Sequence, residues 1–227
     1  MQARTDARQA TDTSLGVGRR TLLQATGAAM MPGTAWAGLF QCNPPLRIAL
    51  LAPITGPLAG TSMGYVEGVR QAVESSAARG CAMTLAVLDA SGAARQISAT
   101  VRAVQAERAA VVMAPYGSLI AMLAAESTTD ALVIDLLQSP PLQKRSPNLV
   151  AVPYTDLFFT SIPEQRTESL RAVGRAAVNI LLETLRDTAP GSIRTPGEFI
   201  DAMSRRRFQI PGGMVSLDRA SGAFRRV

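Results

Sequence analysis

Residues 46–52, LRIALLA, form an almost unbroken apolar run between Pro45 and Pro53. A run this short, bounded by prolines, reads as a buried parallel strand. The segment 61–79 that follows has helical periodicity, with Val66, Val69, Val73 and Ala77 on one apolar face and Gly80 as its stop. The same order then repeats. Strands are expected at 83–90, 109–115 and 131–137, with a shorter one at 148–153. Helices are expected between them at 93–108, where Ile97, Val101 and Val104 face inward, and at about 118–127. Alternating strands and helices cannot bury their apolar faces except as a parallel sheet covered on both sides. The fold expected is therefore α/β, a three-layer α/β/α sandwich around a mainly parallel, doubly wound sheet.

The alternation stops at a polar and aromatic connector, YTDLFFTSIPEQ. The longest helix follows at about 164–187, with Leu170, Val173, Ala177, Ile180, Leu181 and Leu185 as its buried stripe. A short helix is expected at 196–206. The stretch GGMVSLDRASGAFRRV then reads as two strands around a turn organised by Asp218. The chain of 227 residues, 47% hydrophobic and 18% charged, suits one substantial packed domain.

Composition removes several function classes. With no histidine, the chain has no His-based acid–base catalysis, no Ser-His-Asp triad and no His metal site. The serines have no evident base and no metal-ligand spacing occurs, so neither an enzyme nor a cofactor is expected. Aromatics are 4%, too few for base-stacking platforms. The net charge of +6 is scattered; RRRF at 205–208 and FRRV at 224–227 read as solvated helix and strand ends, and no nucleic-acid partner is expected. Asp89 and Asp135 invite comparison with a phosphoacceptor acid pocket. The first strand ends in Ala52-Pro53, however, and offers no acidic pair to hold Mg²⁺.

Residues 1–37 read as an export signal. Arg19 and Arg20 precede Leu22 and Leu23, a weakly apolar stretch follows, and Ala35-Trp36-Ala37 is an A-x-A cleavage pattern. The arginine pair resembles a twin-arginine signal, with an ordinary secretory signal as the other reading. Cleavage after Ala37 would deliver the chain to the periplasm. There Cys42 and Cys81, each just before one of the first two strands, would sit at the same edge of the sheet and be able to pair; two free thiols are the alternative. A lipobox at Cys42 is disfavoured by bulky Phe40 and Gln41.

Four stretches in order carry a family likeness. They are RIALLAPITGPLAGTSMGYVEGVRQAVE, LAVLDASGAARQISATVRAVQAERAAVVMAPYGS, ALVIDLLQSPPL, and SLRAVGRAAVNILLETLRDTAPGS through GGMVSLDRASG. Together they resemble the periplasmic solute-binding proteins of ABC importers, of the leucine and branched-chain amino acid type (type I periplasmic binding proteins). Members of that family close two α/β lobes on a ligand. Here the connector from Tyr154 to Gln165 leaves no room for a second lobe, which needs several strand–helix units of ~30 residues each. The resemblance therefore implies a single lobe over 38–227, with 46–153 as its main part and 154–227 as the closing helix and hairpin.

Ligands of such sheets bind outside the carboxyl ends of the strands. The residues expected to bind are Thr61, Tyr116, Gly117, Ser118, Gln138 and Ser139. The resemblance puts Ser118 and Ser139 near the family's ligand positions, and Thr61 where relatives often carry an aromatic residue. The competing reading is that Thr61, Ser118 and Ser139 only cap helices or turns. The implied function is an exported solute-binding component for amino acids or amides, reduced to one weakly binding lobe, with an importer permease as partner. The alternative is a protein-interaction module that docks or self-associates through Leu136, Leu137, Leu142, Phe158 and Phe159. A relative without a present function is the third reading.

Overall fold

In the computed structural model, residues 40–91, 94–115, 118–136, 146–152 and 163–227 are described, all within one compact unit. The export signal 1–37 and its cleavage site lie outside the described residues. Strand β1 (Leu46–Ala52) alternates strictly between two cores. Ile48, Leu50 and Ala52 enter one, Ala49 and Leu51 the other. That period-two burial on both faces is why the strand has no polar side. β1 pairs in parallel with β2 (Met83–Asp89) from Leu46↔Met83 to Ala52↔Asp89, and on its other side with β3 (Val111–Ala114). β4 (Leu132–Asp135) and β5 (Leu149–Ala151) extend the parallel sheet.

Helices α1 (Ala59–Glu74) and α4 (Pro163–Arg186) cover one face, together with α5 (Pro196–Ser204). Helices α2 (Ala94–Ala106) and α3 (Ser118–Ser127) cover the other. After α5 the chain adds β6 (Arg207–Ile210), β7 (Gly213–Asp218) and β8 (Ala223–Arg226). β8 lies parallel beside β5, while β7 and β6 are antiparallel additions, giving the order β2-β1-β3-β4-β5-β8-β7-β6. The architecture is the expected mainly parallel sheet with helices on both sides.

α1 is held unusually close to α4. A Cβ placed on Gly68 would lie 2.1 Å from the Arg171 carbonyl oxygen, and one on Gly174 2.7 Å from that of Tyr65. Only glycine permits this approach, so the crossing fixes where α1 stands over the sheet. α5 begins with a capping box: the Thr195 hydroxyl accepts from the Glu198 N–H, and Glu198 accepts from the Thr195 N–H. Cys42 and Cys81 are joined, with Cα atoms 4.6 Å apart. Neighbouring parallel strands bring the two residues to one edge, as the sequence implied. Phe40 anchors the same segment by packing on Phe199, ring centroids 5.2 Å apart.

Three expectations need correction. Helix α1 stops at Glu74, and Ala77 lies exposed in a separate 3-10 turn, Ala77–Arg79, rather than on the apolar face. The Ser76 N–H reaches back only to Val73, so the helix tightens and ends; Gly80 then closes the turn with φ +91°. The RRRF cluster does span a helix end and a strand end, but the strand was not expected: Arg207 and Phe208 open β6, with Arg207 and Gln209 outward and Phe208 and Ile210 buried. Leu136, expected on an exposed rim, is fully buried at the end of β4. Leu137, Leu142, Phe158 and Phe159 lie outside the described residues.

Candidate functional site

The carboxyl ends of β1 to β4 share one edge, and the turn from β1 into α1 is the best described part of it. Asp89, the last residue of β2, clasps this turn. Its Oδ1 accepts from the Ile54 N–H (3.1 Å) and the Ser91 N–H (3.0 Å). Its Oδ2 accepts from the Thr55 hydroxyl (2.6 Å). The Thr55 and Ser91 hydroxyls are 2.5 Å apart. The Thr55 hydroxyl, then Ser91, then the Ile54 N–H hold the Asp89 carboxyl down to about 2. Three of its roughly four acceptor sites take donors of the chain itself, so Asp89 serves the turn as a structural acceptor.

Beyond the clasp, Gly56 (φ +74°), Pro57 and Leu58 lead into α1. Leu58 stands at the N-cap and offers no side-chain cap, and the first turn carries no acidic residue. The Ala59 N–H bonds the Gly56 carbonyl, and the Thr61 and Ser62 N–H groups bond that of Leu58. The Gly60 N–H and the Thr61 hydroxyl take no partner among the described residues. Thr61 is therefore not a cap. Ser62, which sequence reasoning passed over, does the tying: its buried hydroxyl donates to the Pro53 carbonyl, with that of Ala59 also within 3.0 Å. Tyr65 reaches across to the Leu136 carbonyl (3.5 Å), joining α1 to the end of β4. The result is a pre-set helix N-terminus with open donors, an arrangement that favours a carboxylate or another anion.

Of the other expected site residues, Ser118 is the first residue of α3, at the same edge. Tyr116, Gly117, Gln138 and Ser139 lie outside the described residues. Exposed apolar side chains include Ile54, Leu58 and Met63 at the turn and the start of α1 and, four to five strand positions away across the sheet, Val227 after β8 and Met214 near the start of β7. No apolar periodicity announces them, because they sit in loops and at element ends. Among the described residues no cluster of His, Cys, Asp or Glu could hold a metal ion, and no helix is long and apolar enough to cross a membrane.

No protein-family model matches the sequence, and no curated protein matches it significantly. Solved structures do match the fold. A putative branched-chain amino acid ABC transporter protein from Rhodospirillum rubrum superposes with a TM-score of 0.64 at 13% identity, over 81% of this chain and 96% of that one. A solute-binding protein of an ABC transporter from Rhodopseudomonas palustris BisB5, in complex with 3,4-dihydroxybenzoic acid, gives 0.63 at 11%, over 79% and 90%. The branched-chain amino acid transporter substrate-binding protein from Streptococcus pneumoniae, in complex with isoleucine, gives 0.61 at 11%, over 81% and 96%. This is the fold of the ABC-transporter solute-binding proteins.

In this fold two cavities bounded by described residues lie away from the clasped turn. One of about 330 Å³ opens beside the disulfide, lined by Phe40, Cys42, Gly80, Arg186 and Ile193. Another of about 390 Å³ lies between the ends of α2 and α3, lined by Gln105, Arg108, Thr128 and Asp130. Both flank the amino ends of the strands, and neither converges open backbone donors.

Proposed function

We propose that the chain is an exported solute-binding component of an importer for amino acids or amides, built as one lobe. The observation that carries this reading is the open N-terminus of α1, with the free Gly60 N–H and Thr61 hydroxyl beside exposed Ile54 and Leu58. A carboxylate fits the donors and an aliphatic or aromatic body fits the apolar flank. The one-lobe reading rests on chain length: only residues 152–162 separate β5 from α4, and the described strands all join one sheet. Export follows from the signal at 1–37, and lysine at both Arg19 and Arg20 abolishes it if the twin-arginine route is used.

A missing lobe sets the affinity. A two-lobed binder of micromolar affinity has about −8 kcal/mol of binding free energy. Half of that, about −4 kcal/mol, corresponds to roughly millimolar affinity. An open edge also forfeits the low dielectric that strengthens buried hydrogen bonds. Calorimetry on the mature chain, with a panel of amino acids, amides and aromatic carboxylates, tests this; millimolar binding is expected, and no binding at all rejects it.

One observation favours a second reading. Ile54, Leu58 and Met63 expose apolar side chains together at the β1–α1 turn and the start of α1, as a docking surface for another chain would require. Light scattering across protein concentration separates the two, since a partner-binding or self-associating edge raises the mass and a ligand-binding edge does not.

A further inference from the structure

We infer that Asp89 is a positioning residue for the ligand edge, holding the β1–α1 turn without itself touching ligand. The inference rests on the ligand-binding reading of that edge and adds to it a residue that reading does not use. The geometry has three parts. The carboxylate ties two separate segments, Ile54 and Thr55 on one side and Ser91 on the other, across 34 and 35 residues of sequence. Among the described residues, the side-chain bonds to residues 54–58 come only from Asp89 and Ser91. The backbone of Asp89 is fixed in turn, because its carbonyl accepts from the Thr100 hydroxyl (3.0 Å) on α2.

The turn so held is short. From Thr55 the chain passes Gly56, Pro57 and Leu58 and enters α1, where the Gly60 N–H and Thr61 hydroxyl stand open. A displacement at Thr55 therefore reaches the ligand donors within one helical turn. Donors that must be ordered on binding add an entropic penalty that a preset turn avoids. The clasp uses neutral donors, and among the described residues no cation pairs with Asp89, so its hold does not depend on ionic strength.

Two measurements on the mature chain decide the matter, with Asp89→Ala, Asp89→Asn and the milder Thr55→Val, which removes the Oδ2 bond and the Thr55–Ser91 hydroxyl contact but leaves both Oδ1 bonds. The first is amide hydrogen exchange, which needs no ligand. In Asp89→Ala the hydrogen-bonded amides within 54–61, those of Ile54, Ala59 and Thr61, are expected to exchange at least ten-fold faster, while those of β3 and β4 keep their wild-type protection. Thr55→Val gives a smaller increase over the same residues, and Asp89→Asn, which retains the Oδ1 acceptor, restores part of the protection. The second is titration with L-isoleucine and with 3,4-dihydroxybenzoate. Affinity for whichever probe binds wild type falls about ten-fold in Asp89→Ala and recovers partly in Asp89→Asn. Unchanged exchange at 54–61 overturns the inference. So does a loosened turn that binds the probe as tightly as wild type. If wild type binds neither probe, the ligand reading fails, and exchange alone then decides whether Asp89 sets the turn.

Discussion

Asp89 makes the sharpest claim at the scale of a single residue. Its carboxyl ordinarily titrates near 3.8, and the Thr55 hydroxyl and its companions lower it to about 2 in the folded chain. The folded state thus favours the ionised form. The clasp's contribution to stability is complete above about pH 4 and is lost as the pH falls toward 2. An NMR titration following the Asp89 carboxyl carbon should give a midpoint near 2; a midpoint at the ordinary value means that the clasp does not form. Cys42 and Cys81 make a second residue-scale claim. Their bond closes a separation of 39 residues, and replacing both by alanine is expected to destabilise the fold by about 2–4 kcal/mol in denaturant unfolding. An unchanged midpoint contradicts it.

Among the elements, the α1–α4 crossing is the most demanding. A Cβ at Gly68 meets backbone that cannot swing aside, so Gly68→Ala should destabilise by about 2 kcal/mol or more, even though alanine favours helix by ~1 kcal/mol. Gly60 has nothing within 4 Å of the same added atom. Gly60→Ala should therefore be neutral, or stabilise by up to ~1 kcal/mol. Thermal unfolding of the two variants separates close packing from propensity, and equal effects would refute the crossing. These elements were legible to different degrees. β1 to β5 and the stripe of α4 are written in local periodicity, which is why their positions were readable within a few residues. β6 was not, because its apolar positions are only Phe208 and Ile210, set among arginines that read as a solvated end. α1 was drawn too long because Ala77 continues the periodicity while the backbone tightens at Ser76. The clasp was invisible for another reason: Thr55, Asp89 and Ser91 meet only because β1 and β2 are neighbours, and nothing local marks the pairing.

The account of the whole molecule turns on one edge. The sheet buries both faces of β1, β3 and β4, the disulfide staples the amino end, and the glycine crossing sets α1. Among the described residues, the carboxyl edge carries unpartnered donors at the start of α1 beside the exposed Ile54 and Leu58. The strand–helix alternation and the family likeness made that edge readable from sequence, through Thr61 and Ser118. The one-lobe proposal rests on the length of the connector between β5 and α4. The part played by Gly60, Ile54 and Leu58 was not readable, since backbone donors and loop exposure leave no residue-type signature. The most direct test of this central claim is chemical-shift mapping of the isotope-labelled mature chain, titrated with L-isoleucine and 3,4-dihydroxybenzoate. The account predicts saturable shifts, in fast exchange at millimolar ligand, centred on residues 54–61 and the start of α3. Shifts centred instead on the cavity beside Cys42 and Ile193, or on the one between α2 and α3, would place the site at the opposite edge and contradict it.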